Sequence, residues 1–525
     1  MLVLAREKSS ARRGFGLRNV VCSAKVAALA IVLGGCAIAP NPLSLSEQTQ
    51  RAFTDVARIS ADAVPLTKPL TLDEAIARGL LYNLDAKVQI MDQALQGAQL
   101  SVANLNMLPT LAANAGYTIR TTPNASVSET LFTGEVSEDP SFSEDRDLGT
   151  ADLTFTWNVL DFGLSYYRAK QQADRVLIAL ERRRRVINNL NQQIETAYWE
   201  ALIAQDLLPR IDRLIREAEV TEQRSARTEA EGLDSRLATL EFRRNLLQIV
   251  NSLKSVKSDL AVSKARLASL INLPPGTAFR LATPRHRHLP AINISLRDLQ
   301  VYSLVHRPEV REEVYQGRIS KETVNQEILK LFPGLSIIAS VNASTDSLLF
   351  YNSWADAGVR ATWNLFDLLR GPRSSKAAEL QVDLSEARRL ALTAAVLVQV
   401  SIGVTEYTAS IETFNSAKKL NGIEQELLRI TQQSAAAEDV PELERIQRSA
   451  QAIAGELARE NGFVAARVAL AQLLTALGLD LVPTDHSFVD LASTTKMVTD
   501  ARYAINHGKL SNVIRAIEPQ VVAGN

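Results

Sequence analysis

The chain has 525 residues, and its Lys plus Arg (58) equal its Asp plus Glu (58), so it carries no electrostatic footprint for nucleic acid. Its only two cysteines, Cys22 and Cys36, exclude a disulfide framework. Aromatic residues are 5% while Ala, Leu, Glu and Arg abound, which is the composition of long helices packed side by side.

The first residues form a basic leader. Arg6, Lys8, Arg12, Arg13, Arg18 and Lys25 precede an apolar run at 26–33 (VAALAIVL) that is far too short to span a bilayer. The run ends at Leu33-Gly34-Gly35-Cys36, which resembles the bacterial lipobox. In that motif the Cys thiol is alkylated by a diacylglyceryl group and cleavage makes it the new N-terminus. An ordinary signal peptide with a chance cysteine is the alternative. Residues 1–35 are thus read as a lipoprotein signal peptide and 36–69 as a lipidated segment anchored at Cys36. Ala37 stands where the inner-membrane retention signal has Asp, which favours the outer membrane.

From Leu72 the pattern is helical to Met107 and stops ahead of Pro109. A first strand follows, with Leu111, Ala113, Ala115, Tyr117 and Ile119 alternating against polar or small residues. The segment 121–150 is acidic and poor in aromatics, as expected of an outward loop, in part disordered. A second strand has Leu153, Phe155, Trp157 and Val159 on one face, and Asp161 is placed to cap the helix after it, with Gly163 as turn chemistry. That helix, 164–231, has Pro209 as its only breaker and would reach on the order of 100 Å. Ile187, Leu190, Ile194, Ala197, Ala201, Ala204, Leu208, Ile211, Ile215 and Ala218 step by three and four, the seam of a narrow coiled coil. Arg182, Arg183, Arg184 and Arg185 point around the helix and read as solvated surface or as contacts to a neighbouring protomer's acids. Gly232-Leu233-Asp234-Ser235-Arg236 turns the chain, and a second helix returns to Leu270.

The pattern then repeats. Leu72 pairs with Leu296 and Leu108-Pro109 with Phe332-Pro333 at an offset of 224; TWNVLD (156–161) pairs with TWNLFD (362–367), and LINL (270–273) with ALGL (476–479), at 206. The first copy therefore carries 18 extra residues within its strand–strand loop. In the second copy Leu335, Ile337, Ala339 and Val341 form one strand face, and Ala357, Val359, Ala361, Trp363 and Leu365 the next. Asp367 caps the following helix and Gly371-Pro372 supplies the turn. The apolar stretch 390–404 contains Thr393, Gln399 and Ser401 and reads as a buried helix face, so no transmembrane helix is expected. Repeat boundaries are set at 70–273 and 294–480, with a linker at 274–293 and a C-terminal equatorial segment at 481–525.

Each chain thus supplies four strands, too few to close a barrel; three chains would supply twelve and leave no edge. A soluble half-buried sheet gives the same alternation. His286 and His288 in the linker lack further ligands for a metal, and no catalytic grouping, phosphate loop or helical HExxH is present, so enzymatic activity and cofactors are not expected.

The lipobox, the duplication, LPPGT (273–277), HRPEV (306–310) and the W-N-x-x-D exits together resemble the outer-membrane efflux protein family, the TolC-type channels, across roughly 70–479. The resemblance implies an α+β membrane protein: a homotrimer whose 12-stranded β-barrel continues into a long periplasmic α-helical barrel. It implies a passive exit duct for small molecules, docked to a periplasmic adaptor and an inner-membrane pump, and set in outer-membrane lipid. It places an acidic periplasmic gate at Glu444, Asp439 and Glu442, and adaptor docking at Gly232, Leu233, Asp234, Ser235 and Arg236. Trp157 and Trp363 read as a membrane girdle or as rings packed under the helix exits. A type I secretion duct is the alternative within this class, and a lipid-anchored coiled-coil scaffold without a pore the alternative outside it.

Overall fold

The structure is a computed structural model that describes residues 40–61, 64–230, 236–274, 276–284, 287–435, 441–481 and 490–506. It divides into two compact units, 1–61 and 62–525. In the first, helix α1 (Leu45–Ala61) is opened by a reciprocal capping box: Ser44 Oγ accepts from Glu47 N, and Glu47 Oε2 accepts from Ser44 N. Leu45, Phe53 and Val56 are exposed on it.

The second unit shows the duplication element by element. Helices α2 (Leu72–Tyr82) and α3 (Leu84–Leu105) match α7 (Leu296–His306) and α8 (Pro308–Leu329) in length, at the offset of 224. Thr71 and Ser295 occupy equivalent N-cap positions, each accepting from the backbone N–H three residues on. Between the helical parts lie strands β1 (Thr110–Ile119), β4 (Asp147–Asn158), β5 (Gly334–Ser344) and β6 (Ser353–Thr362). They form one antiparallel sheet in the order β1-β4-β5-β6, so the β4–β5 pairing joins the two repeats and β1 and β6 are its edges. The 121–150 loop contains its own short pair, β2 (Ala125–Ser126) and β3 (Ser141–Phe142).

The strand exits differ from expectation. Helix α4 (Val159–Ala230) begins before Asp161, and Asn158 Oδ1 is what accepts from Leu160 N and Asp161 N. In the second copy α9 (Asp367–Ala435) is preceded by Asn364, whose Oδ1 accepts from Phe366 N and whose amide donates to Asp367. The first-copy cap is therefore Asn158, whose short amide reaches the first free N–H groups while Asp161 already lies in the first turn, and in the second copy Asn364 turns the chain just ahead of α9. This turn ends β6 at Thr362, leaving Trp363 and Leu365 outside the strand. Gly163 and Gly371 are not turn residues either. Both lie inside helices, and at Gly371 a Cβ would fall 1.8 Å from Leu331 Cδ2, so the glycine admits a close neighbour.

α4 runs unbroken through Pro209. Eight of its ten heptad positions are buried, with Ile187 and Leu208 half-buried. Tyr198, Trp199, Leu202, Leu207 and Leu214 are buried as well, so the apolar face is far wider than a coiled-coil seam. The cause is the number of neighbours. α4 packs against α3 and α8 above, α2 and α6 (Ser263–Leu270) at mid-level, and α5 (Arg236–Ala261) and α10 (Glu442–Ala476) below. Tyr198 pins the linkers to this core: its hydroxyl donates to Leu70 O or Ala282 O, which pair with the strand-like contact of Leu70 and Leu281. Tyr407 on α9 does the same to Pro290 O at 2.7 Å. The last element, α11 (Leu491–Asn506), lies against α2, with Arg502 and Thr499 bound to Asp73.

The apolar stretch 390–404 is buried on one side only. Val396 and Val400 join Leu299 and Leu473 in a core, whereas Leu390, Val398 and Ile402 are about half exposed. An 18-residue window of α9 is apolar enough to cross a bilayer by composition, with 22% of it buried. The arginine run is only partly solvated: Arg182 is exposed, whereas Arg184 is buried. Arg184 is buried between Glu181 and Asp480, Arg182 and Arg185 both reach Glu312, and Arg183 donates to Gln93. Burial pushes the Glu181 carboxyl above its ordinary value, against the pull of Arg184 and Arg311.

Candidate functional site

The sheet has two chemically distinct faces. Register places Leu111, Phe155 and Ala339 in one row, Ala113, Leu153 and Val341 in the next, and Trp157, Ile337 and Val359 in a third. This face is apolar across all four strands, and most of its large side chains are exposed. The opposite face carries Asn114, Asp152, Thr154, Ser340, Asn342 and Asp356. Asp152 accepts from Asn114 (2.9 Å) and Thr154 (2.8 Å), and Asp356 from Asn342 (2.8 Å) and the Trp354 indole (3.0 Å). The sheet thus exposes one apolar face and one hydrogen-bonding face.

Both edges of the sheet are unpaired among the described residues, since β1 bonds only to β4 and β6 only to β5. The helices continuing from the edge side match this. On α3, Val88, Met91, Leu95, Val102 and Leu105 are exposed, and on α9, Leu380, Leu384, Leu390 and Val398. Two apolar stripes thus extend the two open edges along the helical part.

The two candidate girdle tryptophans are placed differently. Trp157 lies in β4 on the apolar face, its ring 6.1 Å from Phe162 in an edge contact. Trp363 follows β6, about half exposed, and donates from Nε1 to Leu331 O at 3.1 Å.

At the far end of the helices, the candidate gate and docking residues fall partly outside the described chain: Asp439, Gly232, Leu233, Asp234 and Ser235 lie outside it, as does Cys36. Arg236 opens α5 and is exposed. Glu442 and Glu444 sit in the first turn of α10. Glu442 accepts from Thr221 Oγ1 on α4 at 3.0 Å, and Glu444 lies 4.0 Å from Arg448, so cationic or hydroxyl partners face both acids. Sequence reading missed what joins the repeats here. Arg445 binds Glu217, Arg210 binds Glu456, and Thr221 binds Glu442, a ladder between α4 and α10. The seven-residue spacing of Arg210 and Glu217 on one helix face was the available signal. Among the described residues, no group of three or more His, Cys, Asp or Glu could hold a metal.

Neither a protein-family model nor any curated protein sequence matches the chain. Solved structures do. The open-state MtrE outer-membrane channel of Neisseria gonorrhoeae matches with TM-score 0.61 and 17% identity, covering 78% of this chain and 88% of that one. The CmeC outer-membrane channel of Campylobacter jejuni matches with TM-score 0.61 and 11% identity, covering 82% and 89%. The outer-membrane protein VceC of Vibrio cholerae gives 0.58 and 15%, covering 78% and 96%. The architecture, the two-faced sheet and these matches agree, and the chain has the fold of the TolC-type outer-membrane channels.

Proposed function

We propose that the protein is the outer-membrane exit duct of a tripartite efflux system, passing small molecules from an inner-membrane pump and its periplasmic adaptor to the exterior. The observation that carries this reading is the pair of open sheet edges, β1 and β6, on a sheet whose two faces suit two solvents. Unpaired edges beside an apolar face are an aggregation hazard unless another strand covers them. Three copies joined β1 to β6 give twelve strands and no edge, and put the apolar face toward lipid and the Asp152–Asp356 face toward a water-filled lumen. The exposed stripes of α3 and α9 then meet across each protomer boundary and extend the closed wall into the periplasm.

In this reading Cys36 carries the lipid that holds the N-terminus at the membrane, and Trp157 and Trp363 mark the periplasmic boundary of the bilayer. The turn at 232–236 is the adaptor-docking tip. The α4–α10 ladder, together with Glu442, Glu444 and Asp439, forms the periplasmic gate. The test is the mass of the protein extracted from the outer-membrane fraction in mild detergent, followed by conductance in planar bilayers. A trimer that conducts is expected. A water-soluble monomer or dimer would leave both edges without partners and replace the duct with a scaffold.

A further inference from the structure

The strongest unexplained group in the helical part is Asn191. It is 4% exposed on α4, yet among the described residues neither Oδ1 nor Nδ2 has a hydrogen-bond partner. Exchanging the two ends of the amide cannot help, because both are orphaned. A buried amide left in that state costs free energy, about 1–3 kcal/mol, so its partners require an account.

Asn191 lines a cavity of about 40 Å³ where three segments converge: α4 brings Asn188 and Glu195, α10 brings Arg467, and α11 brings Arg502 and Asn506. Leu470 and Leu474 close part of the wall. The space decides the size of any occupant. One water requires about 10–15 Å³ on such a scale, which leaves room for about two or three waters. Charge decides its kind. Arg467 donates to Glu195 from Nε (2.8 Å) and Nη2, and to Asn506 Oδ1 and His288 O from Nη1, while Arg502 is bound to Asp73 and Asn188 to Asp480. The charged groups at the walls are therefore matched, and a bound ion would have no opposite charge to neutralise.

We infer that this cavity is a water site: a small internal cluster that satisfies Asn191 and bridges α4, α10 and the tail helix α11. Direct contacts fix the Glu195–Arg467 pair, whereas the water-bridged side lets the three helices shift slightly without breaking a protein–protein bond. The inference does not depend on the protein being a duct.

The test is a map of the purified full-length protein at a resolution that shows ordered water, combined with thermal unfolding of Asn191→Leu. Two or three density peaks within hydrogen-bonding distance of Asn191 are expected. Asn191→Leu, which expels the cluster and with it the bridge between the three helices, should lower the unfolding temperature by roughly 2 °C or more, and Asn191→Ser should recover part of that loss. An empty cavity in the map, or an Asn191→Leu protein that unfolds at a higher temperature, overturns the inference. Should Asn191→Leu fail to fold, the map of the unaltered protein decides alone.

Discussion

Asn272 and Gly478 lie 206 residues apart and terminate equivalent helices with the same left-handed backbone, φ 53° and 72°. Leu273 N bonds Ala268 O at 2.8 Å, and Leu479 N bonds Leu474 O at 3.0 Å, the same closing bond in each repeat. Each end then seats against the helix elbow of its own repeat: the Asn83 amide donates to Leu270 O, while Gly478 lies under the backbone of Arg307. The two copies share a geometry but use different residues for it.

The difference has a consequence. A Cβ at Gly478 would stand 2.7 Å from Arg307 Cα and N, atoms of a backbone that cannot swing aside. Gly478→Ala should therefore cost about 2–3 kcal/mol, combining left-handed strain with a steric clash. Asn272→Gly keeps the permitted φ and should change stability by less than about 1 kcal/mol. Denaturant unfolding of the two variants in detergent checks the contrast, and equal effects would mean that the repeats do not share this cap.

The strand exits give a second test. Asn158→Ala removes the acceptor for two free N–H groups and should cost about 1 kcal/mol. Asp161→Ala loses only a favourable charge near the helix start, on an exposed surface, and should cost a few tenths of a kcal/mol. A larger loss at Asp161 than at Asn158 would return the cap to the aspartate.

The duplication, the four strands and the long helices were legible because period, offset and breaker residues are local features. LINL against ALGL marked equivalent positions of the two repeats, and the structure adds that both are helix caps. What could not be read is set by contacts across 100 to 300 residues. Arg184 looks like surface in a run of four arginines, and only the arrival of Asp480 next to it buries the pair. The spacing of Arg210 and Glu217 marks one side of the α4–α10 ladder, but its partners are hidden for the same reason, since Arg445 and Glu217 belong to different repeats. The Asn158 cap was misassigned to Asp161 because both residues favour that position and two possible starting points differ by less than a helical turn.

The buried pair Glu195–Arg467 should make stability depend on acid. Burial would push the Glu195 carboxyl up, but Arg467 and Arg502 hold it below its ordinary value. A carboxylate depressed in the folded state stabilises fully above its unfolded pKa of about 4.3 and loses that contribution as pH falls through the folded value. Glu195→Gln, which strands Arg467, should cost about 3 kcal/mol at neutral pH. The gap between variant and parent should narrow below about pH 4. Unfolding midpoints across that range measure it, and a constant gap would show that Glu195 is not charged in the fold.

The ladder at the helix tips makes the last prediction, on the proposed duct. Arg445 and Glu217 are each about one-third exposed, so this pair is worth at most about 1 kcal/mol, and the same holds for Arg210 with Glu456. Arg445→Ala alone should therefore leave conductance nearly unchanged, because Thr221–Glu442 and Arg210–Glu456 still tie α10 to α4. Replacing Arg210, Thr221 and Arg445 together by Ala removes every one of these ties while leaving the buried Glu195–Arg467 pair above them intact. Helices held at mid-level and free at their ends should splay there. Single-channel conductance should rise severalfold in the triple variant, with the detergent-extracted assembly unchanged in mass. An unchanged conductance in a correctly assembled triple variant would place the constriction elsewhere, since these polar links between the repeats near the tip would then be gone without effect.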